Sequence, residues 1–327
     1  RPGQSGDAGG RAGVGRQPVP STEDYRITDL TRLGEGGQKT KYRDNVAAIR
    51  LLKDLEATGR RASQDEQNTL ARYVGWGGIA QAFDAENTSW AKEFAELRSL
   101  LTEEEYDQAR RSTRYAHYTS QQIIVDGIYA ALQRFGFSGG GKMLEPGGGV
   151  GNFIGLMPEA VRTGSRFTLV EREPIAAGIA KHLYPQQSVI LQDFTQFNAA
   201  NGYYDVVAGN PPFARTALTD MSGRKHLTGM SIHNYFLAKS VDLLRPGGVL
   251  AVVVSNYFMD AAGDRSRQYI GERTRFLGAI RLPNNAFARN ALTEVTTDLI
   301  FLQKLPEKEW GGQAAKKAAA VWLDAGT

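Results

Sequence analysis

The chemistry of this chain is densest at VVAGNPPFA, residues 206–214, where an apolar run stops at Asn210 and Pro211, Pro212 and Phe213 follow. Proline lacks an N–H donor and fixes φ, so neither proline belongs inside a helix or a central strand. The corner offers an amide, rigid carbonyls and an aromatic ring. An exocyclic amine on an aromatic ring is a poor nucleophile, because its lone pair is delocalised into the ring. The amide oxygen of Asn210 and the backbone carbonyl of Pro211 can each accept one N–H of such an amine. That turns the lone pair toward an electrophile, and the double proline preorganises the carbonyl. Phe213 supplies a stacking face for a planar ring. The corner is shaped to hold a planar amine.

A second group lies at MLEPGGGVGNF, residues 143–153. A dinucleotide fingerprint GxGxxG starting at Gly147 needs glycine at position 152, where Asn152 stands, and it also fails from Gly149. GFSGGGKM, residues 136–143, resembles a P-loop but ends in Met143 and precedes a strand instead of following one. The remaining reading is a loop for S-adenosylmethionine (AdoMet): an acid, proline, then GxGxG, with Gly147, Gly149 and Gly151 letting the backbone approach a ligand. Glu145 would face the cationic methionine end. At the end of FTLVERE, Glu171 can accept both ribose hydroxyls, or be a solvated strand-end acid. At LQDF, Asp193 can accept an adenine amino group with Phe194 against the ring, or be a helix N-cap.

These groups need a frame that brings strand ends together. From residue 115 onward, apolar runs alternate with helical segments: KMLEP, RFTLVERE, SVILQD, YDVVAGN, GVLAVVVSN, RFLGAIRLP and VTTDLIFLQK. Such runs separated by helices predict a sheet buried on both faces. We expect an α/β fold, a doubly wound, Rossmann-like sheet of seven strands. The last two runs are joined by a loop, which predicts an antiparallel pair. Ligands in such folds bind beyond the carboxyl ends of strands, where every motif above sits.

Residues 25–112 read as a helical N-terminal domain. NVAAIRLLKDLEATGR, EEQNTLARYV and WAKEFAELRSLL have helical spacing, the first ending at Gly59. GWGG, residues 75–78, reads as a packed inter-helix turn or as a loop touching ligand. Residues 1–24 begin with a Gly/Pro-rich stretch expected to be a disordered linker. The first residue is Arg1, which reads as an excerpt of a longer chain. The 327 residues are 41% hydrophobic and 23% charged, ordinary for a globular protein. No apolar run reaches the roughly 20 residues of a membrane span. Cysteine is absent, so disulfides and thiolate metal sites are excluded. Four histidines without paired spacing argue against a metal. The net charge of +4 is compatible with a polyanionic partner.

The order of these motifs resembles AdoMet-dependent amino methyltransferases, and most closely the adenine-N6 DNA methyltransferases of the gamma order. The resemblance covers residues 113–305, an AdoMet-dependent methyltransferase core, and leaves 306–327 as a tail toward a missing region. It implies S-adenosyl-L-methionine as cofactor. It implies cofactor contacts at Tyr118 and Thr119 of AHYTSQQI, at Glu145, Pro146, Gly147, Gly149, Gly151, Asn152 and Phe153, and at Glu171, Asp193, Phe194 and Asn210. The catalytic tetrapeptide matches Asn210, Pro211, Pro212 and Phe213. The block HNYFLAKSVDLLRPGG adds Asn234 toward substrate, and Phe287 falls near where the family places a ring against a flipped base. LGEGGQKTKYRDN and YVGWGG look like the methylase part of plasmid and phage proteins fused to a helicase. That implies a fused or associated helicase region as partner and the cytoplasm of a bacterial or phage-infected cell as location.

Restriction methylases of this order carry a recognition domain after the core, and residues 306–327 are too few for one. Arg215, Arg224 and Lys225 follow the tetrapeptide and can reach a phosphate backbone or form a solvated basic loop. The expected substrate is DNA, a duplex with a flipped adenine or a single strand. The same tetrapeptide serves cytosine N4, guanine amines in RNA and protein glutamine, so these stay open. An inactive AdoMet-fold docking module is the third reading, and intact Glu145, Glu171, Asp193 and Asn210 argue against it.

Overall fold

The computed structural model describes residues 19–113, 119–260, 265–283 and 296–323. The strands are β1 (Lys142–Pro146), β2 (Arg166–Glu171), β3 (Ser188–Leu191), β4 (Tyr204–Gly209), β5 (Leu244–Ser255), β6 (Thr274–Arg281) and β7 (Thr297–Lys304). They form one seven-stranded sheet in the order β3-β2-β1-β4-β5-β7-β6. β1 to β5 pair in parallel, and β7 is antiparallel to both β5 and β6. The seven runs and the antiparallel last pair thus match the expectation. The insertion of β7 between β5 and β6 was not foreseen. Composition accounts for it: β7 is buried along almost its whole length, whereas β6 turns exposed toward its end and takes the edge.

The helices are α1 (Gln38–Thr58), α2 (Gln64–Leu70), α3 (Ala91–Leu100), α4 (Glu103–Ser112), α5 (Ala130–Arg134), α6 (Asn152–Gly155), α7 (Glu159–Arg162), α8 (Pro174–Leu183), α9 (Ile232–Leu243), α10 (Asn256–Asp260), α11 (Arg265–Gly271) and α12 (Gln313–Leu323). A π-helical turn, Ile123–Tyr129, leads into α5. α1 ends where expected, with Gly59 in the left-handed region at φ 63°.

Side chains alternate across each strand, so neighbours enter different cores. Met143 and Val206 join one apolar cluster with Tyr42, Ile49 and Leu52 of α1. Leu144 and Val207 join the other, with Phe194, Tyr235 and Leu237. The N-terminal helices therefore share a core with one face of the sheet. A Cβ on Gly178 of α8 would lie 3.1 Å from Leu52, so glycine there lets α1 and α8 pack closely. Of the expected linker, residues 1–18 lie outside the described residues. Residues 19–24 are tied down: Ser21 N–H donates to the Ala62 carbonyl (2.8 Å), and Asp24 Oδ1 accepts the Gln186 N–H (2.9 Å).

The GWGG turn is packed. Trp76 is 1% exposed, with the Phe83 ring 5.2 Å away edge-on. Asn45 of α1 clamps the backbone, donating to the Gly75 carbonyl (2.6 Å) and accepting from Val74 N–H (2.9 Å).

Candidate active site

The carboxyl ends of β1, β2, β3 and β4 open onto a cavity of about 460 Å³. That is the size of a small-molecule site. On the sheet side it is walled by Glu145, Gly147 and Gly149 after β1, Glu171 after β2, Asp193 and Phe194 after β3, and Asn210 and Pro212 after β4. Thr119 lines it as well. Parallel pairing makes this convergence: β1 lies between β2 and β4, so their terminal residues share one rim.

The glycine loop is built for close approach. Gly147, Gly149 and Gly151 have φ of 70°, 56° and 80°, a region that penalises any Cβ. Gly147 N–H donates to the Val170 carbonyl (2.7 Å), and Gly149 N–H donates to Glu171 Oε2 (2.9 Å). Glu171 Oε1 accepts Glu173 N–H (2.8 Å). Glu171 therefore shapes the loop while keeping lone pairs toward the cavity. Burial raises its pKa, partly opposed by those N–H donors.

Glu145 is 3% exposed, and its Oε2 has no hydrogen-bond partner. Burial, then the nearby Glu171 charge, pushes its carboxyl well above the usual range. A carboxylate in such a place is suited to a cationic, donor-bearing ligand. Thr119 Oγ1 is likewise buried without a partner. Asp193 Oδ1 accepts Thr195 N–H (2.8 Å) and Thr195 Oγ1–H (2.7 Å). It thus closes a turn, with no helix between β3 and β4 among the described residues for it to cap, while also lining the cavity. Phe194 is held by Phe236, 4.8 Å away.

Phe213 does not line the cavity. Its ring stacks on His233 at 5.1 Å and 14°, and His233 stacks on Phe258 at 5.7 Å and 5°. The column fixes the plane of Phe213. Burial lowers the His233 pKa to about 4, so the middle ring is neutral.

Other expected residues are placed differently. Gly151 and Phe153 do not line the cavity: Gly151 is the N-cap of α6, and Phe153 is 2% exposed in the core. Pro146 completes β1 opposite Val170, and Pro211 is buried. Asn152 does line the cavity. Arg224 turns inward, donating to the Ala199 carbonyl and Asn201 Oδ1 (both 2.7 Å), so it ties the loop after β4 to the loop after β3 and is not presented to a backbone phosphate. Arg215 and Lys225 are exposed, Arg215 lying over the Tyr257 ring at 5.3 Å. Asn234 is half-buried on α9. Tyr118 and Phe287 lie outside the described residues. Among the described residues no cluster of His, Cys, Asp and Glu could hold a metal ion, and no helix is long and apolar enough to cross a membrane.

Sequence reasoning missed Gly148, where a Cβ would lie 2.7 Å from the Glu145 carboxyl carbon. The glycine run itself was the signal. It also missed Tyr73, Gln108, Arg111 and Ser112, which close the cavity from the N-terminal helices. Gly75 of GWGG joins them, so that turn is packed and also borders the cavity.

Comparison with known proteins now bears on this geometry. Residues 159–287 match the Eco57I restriction-modification methylase family. The matched segment contains Glu171, Asp193 and the Asn210–Phe213 corner. The glycine loop precedes it. The chain is 25% identical over 276 residues to "Defense against restriction protein B" of Escherichia phage P1, covering 84% of this chain and 10% of that protein. It is 30% identical over 135 residues to "Type II methyltransferase M.TthHB8I" of Thermus thermophilus, covering 35% of this chain and 29% of that enzyme. The chain thus spans about a tenth of the first relative and under a third of the second. Among solved structures, the type I restriction-modification system methyltransferase subunit from Streptococcus thermophilus aligns at TM-score 0.48 and 13% identity, covering 83% of this chain and 80% of that one.

The strand order, with β7 reversed, is that of the AdoMet-dependent methyltransferase sheet, and fold and family together imply S-adenosyl-L-methionine as cofactor. The cavity fits such a group: it offers a buried acid with an unpartnered oxygen, a glycine cradle, a second acid and an aromatic wall.

Proposed function

We propose that the chain methylates the exocyclic N6 amine of adenine in DNA, with the base swung out of its stack into the cavity. The observation that carries this reading is the position of Asn210 and Pro212 on the same cavity as Glu145 and the glycine loop. Bound S-adenosyl-L-methionine supplies an electrophilic methyl group. Asn210 Oδ1 and the Pro211 carbonyl accept the two N–H groups of the adenine amine and turn its lone pair toward that methyl. Phe213 stands outside the cavity lining, stacked on His233, and would meet the base only on its other ring face. The amine needs no base before attack, and the proton it sheds afterwards passes to solvent. Arg215 and Lys225 are the exposed cations of the adjoining loop, suited to phosphates. DNA is favoured as substrate by the restriction-modification family match and by the Type II methyltransferase relative. A fused or associated helicase region is the proposed partner, on the resemblance of the N-terminal segment.

The test is methyl transfer from labelled cofactor to duplex DNA, followed by nucleoside digestion and mass spectrometry. Methylated adenine is expected from the wild type. Asn210→Ala is expected to lose about 100-fold or more in rate, the scale of removing one transition-state hydrogen-bonding group, with cofactor affinity nearly unchanged. Wild-type turnover by that variant sinks the assigned role of the corner. Methylated cytosine as the product replaces adenine as the target.

A further inference from the structure

Among the described residues, and Asn210 aside, four buried side-chain oxygens on the cavity have no hydrogen-bond partner: Gln108 Oε1, Thr119 Oγ1, Glu145 Oε2 and Glu173 Oε1. Each can accept a hydrogen bond, and the Gln108 carbonyl oxygen can do nothing else. Leaving a buried acceptor unmade costs about 1–3 kcal/mol, so four around one cavity describe a ligand rich in N–H and O–H donors. The ribose–methionine half of the cofactor has that chemistry, with an ammonium and two hydroxyls. The adenine half has one amino group.

Three of these acceptors belong to the sheet side and its approach, and the fourth comes from elsewhere. Gln108 sits on α4, outside the methylase segment and ahead of the glycine loop. α4 is set in place without any ligand. Its N-cap Thr102 and Glu105 form a reciprocal capping box. Lys53 of α1 donates to both Glu105 oxygens, at 2.9 and 2.8 Å. One turn further along, Gln108 presents its amide to the cavity, and its Nε2 reaches Glu104 at 3.4 Å. The helix is thus anchored on one side and leaves an acceptor at the cavity on the other.

We propose that Gln108 is a cofactor-binding residue, accepting a hydrogen bond from the ribose–methionine half, so that the N-terminal helical layer forms part of the AdoMet site. This rests on the cofactor reading above and is independent of the nucleic-acid substrate. The experiment is calorimetric titration with S-adenosylhomocysteine, 5′-methylthioadenosine and adenosine. Gln108→Met keeps the length of the side chain and removes its carbonyl; Gln108→Glu keeps an acceptor. Gln108→Met is expected to bind S-adenosylhomocysteine about tenfold more weakly, and Gln108→Glu within about threefold of wild type. Adenosine and 5′-methylthioadenosine separate the sources of the donor. A loss shared by all three ligands that disappears with 2′,3′-dideoxyadenosine puts it on the ribose, whereas one that persists there puts it on the adenine and overturns the proposal. A loss confined to S-adenosylhomocysteine puts it on the ammonium, and a donor on the ribose or the ammonium supports the proposal. Equal affinity of wild type and Gln108→Met for S-adenosylhomocysteine overturns it, with the cofactor reading untouched. No binding by the wild type overturns the cofactor reading itself, and this proposal with it.

Discussion

At the scale of single residues, the site is dominated by carboxyl groups kept from water. Glu173 shows what that costs the fold. Its Oε2 accepts Ala176 N–H (2.7 Å) as the N-cap of α8, while its Oε1 is buried without a partner. Burial raises its pKa from 4.5 to about 7. The unfolded chain releases this proton near pH 4.5, whereas the folded chain holds it until about pH 7. Its contribution to stability therefore falls as pH rises between those values and levels off above. Gln at this position can still cap α8 and cannot ionise. Glu173→Gln is expected to gain on the wild type as pH rises from about 5 to 7, and to keep a constant advantage beyond. Urea midpoints at a series of pH values measure this. A gap independent of pH sinks the argument.

At the scale of elements, the loops after β3 and β4 are locked together through α9. Lys239 is fully buried there. Its Nζ donates to the Phe194 carbonyl (2.5 Å) and to Ser222 Oγ (2.9 Å), with Asp220 Oδ1 3.7 Å away. One side chain thus joins the loop after β3 to the loop after β4. Burial lowers the lysine pKa to about 8, and hydrogen bonds to Asp220 outweigh its own burial and lower its pKa too. Removing one member of a buried pair leaves the other uncompensated, typically at about 3–5 kcal/mol. Lys239→Met is expected to destabilise by about 3 kcal/mol or more in urea unfolding, on that scale. A loss below about 1 kcal/mol means that Asp220 is satisfied without the lysine. Nothing in AKSVDLL marked this lysine, because its partners are distant in sequence. The strands were legible for the opposite reason: each apolar run of the sheet carries its own pattern. Glu145, Glu171, Asp193 and Asn210 were legible because strand ends of a parallel sheet converge by topology alone. The place of β7, the inward turn of Arg224 and the Phe213–His233–Phe258 column depend on tertiary packing, which periodicity does not encode.

At the scale of the whole molecule, the helical front and the sheet are not independent bodies. The residue-by-residue pattern divides the chain near position 113, but the core does not. Ile27 packs so closely on Gly155 that a Cβ there would lie 2.6 Å from it, and Tyr25 N–H donates to the Leu183 carbonyl (2.7 Å). Gln67 of α2 donates to the His182 carbonyl (2.8 Å). Removing residues 1–112 would uncover α8 and the α6 turn, which follows the glycine loop directly. It would also unroof the cavity at Tyr73, Gly75 and Gln108. Large apolar surface newly exposed to water favours association. A fragment of residues 113–327 is therefore expected to aggregate, or to bind S-adenosylhomocysteine far more weakly than the full chain. Sedimentation together with calorimetry decides it. A monomeric fragment with full-chain affinity would mean that the methyltransferase core needs no helical layer, and that the shared core contributes little to its stability.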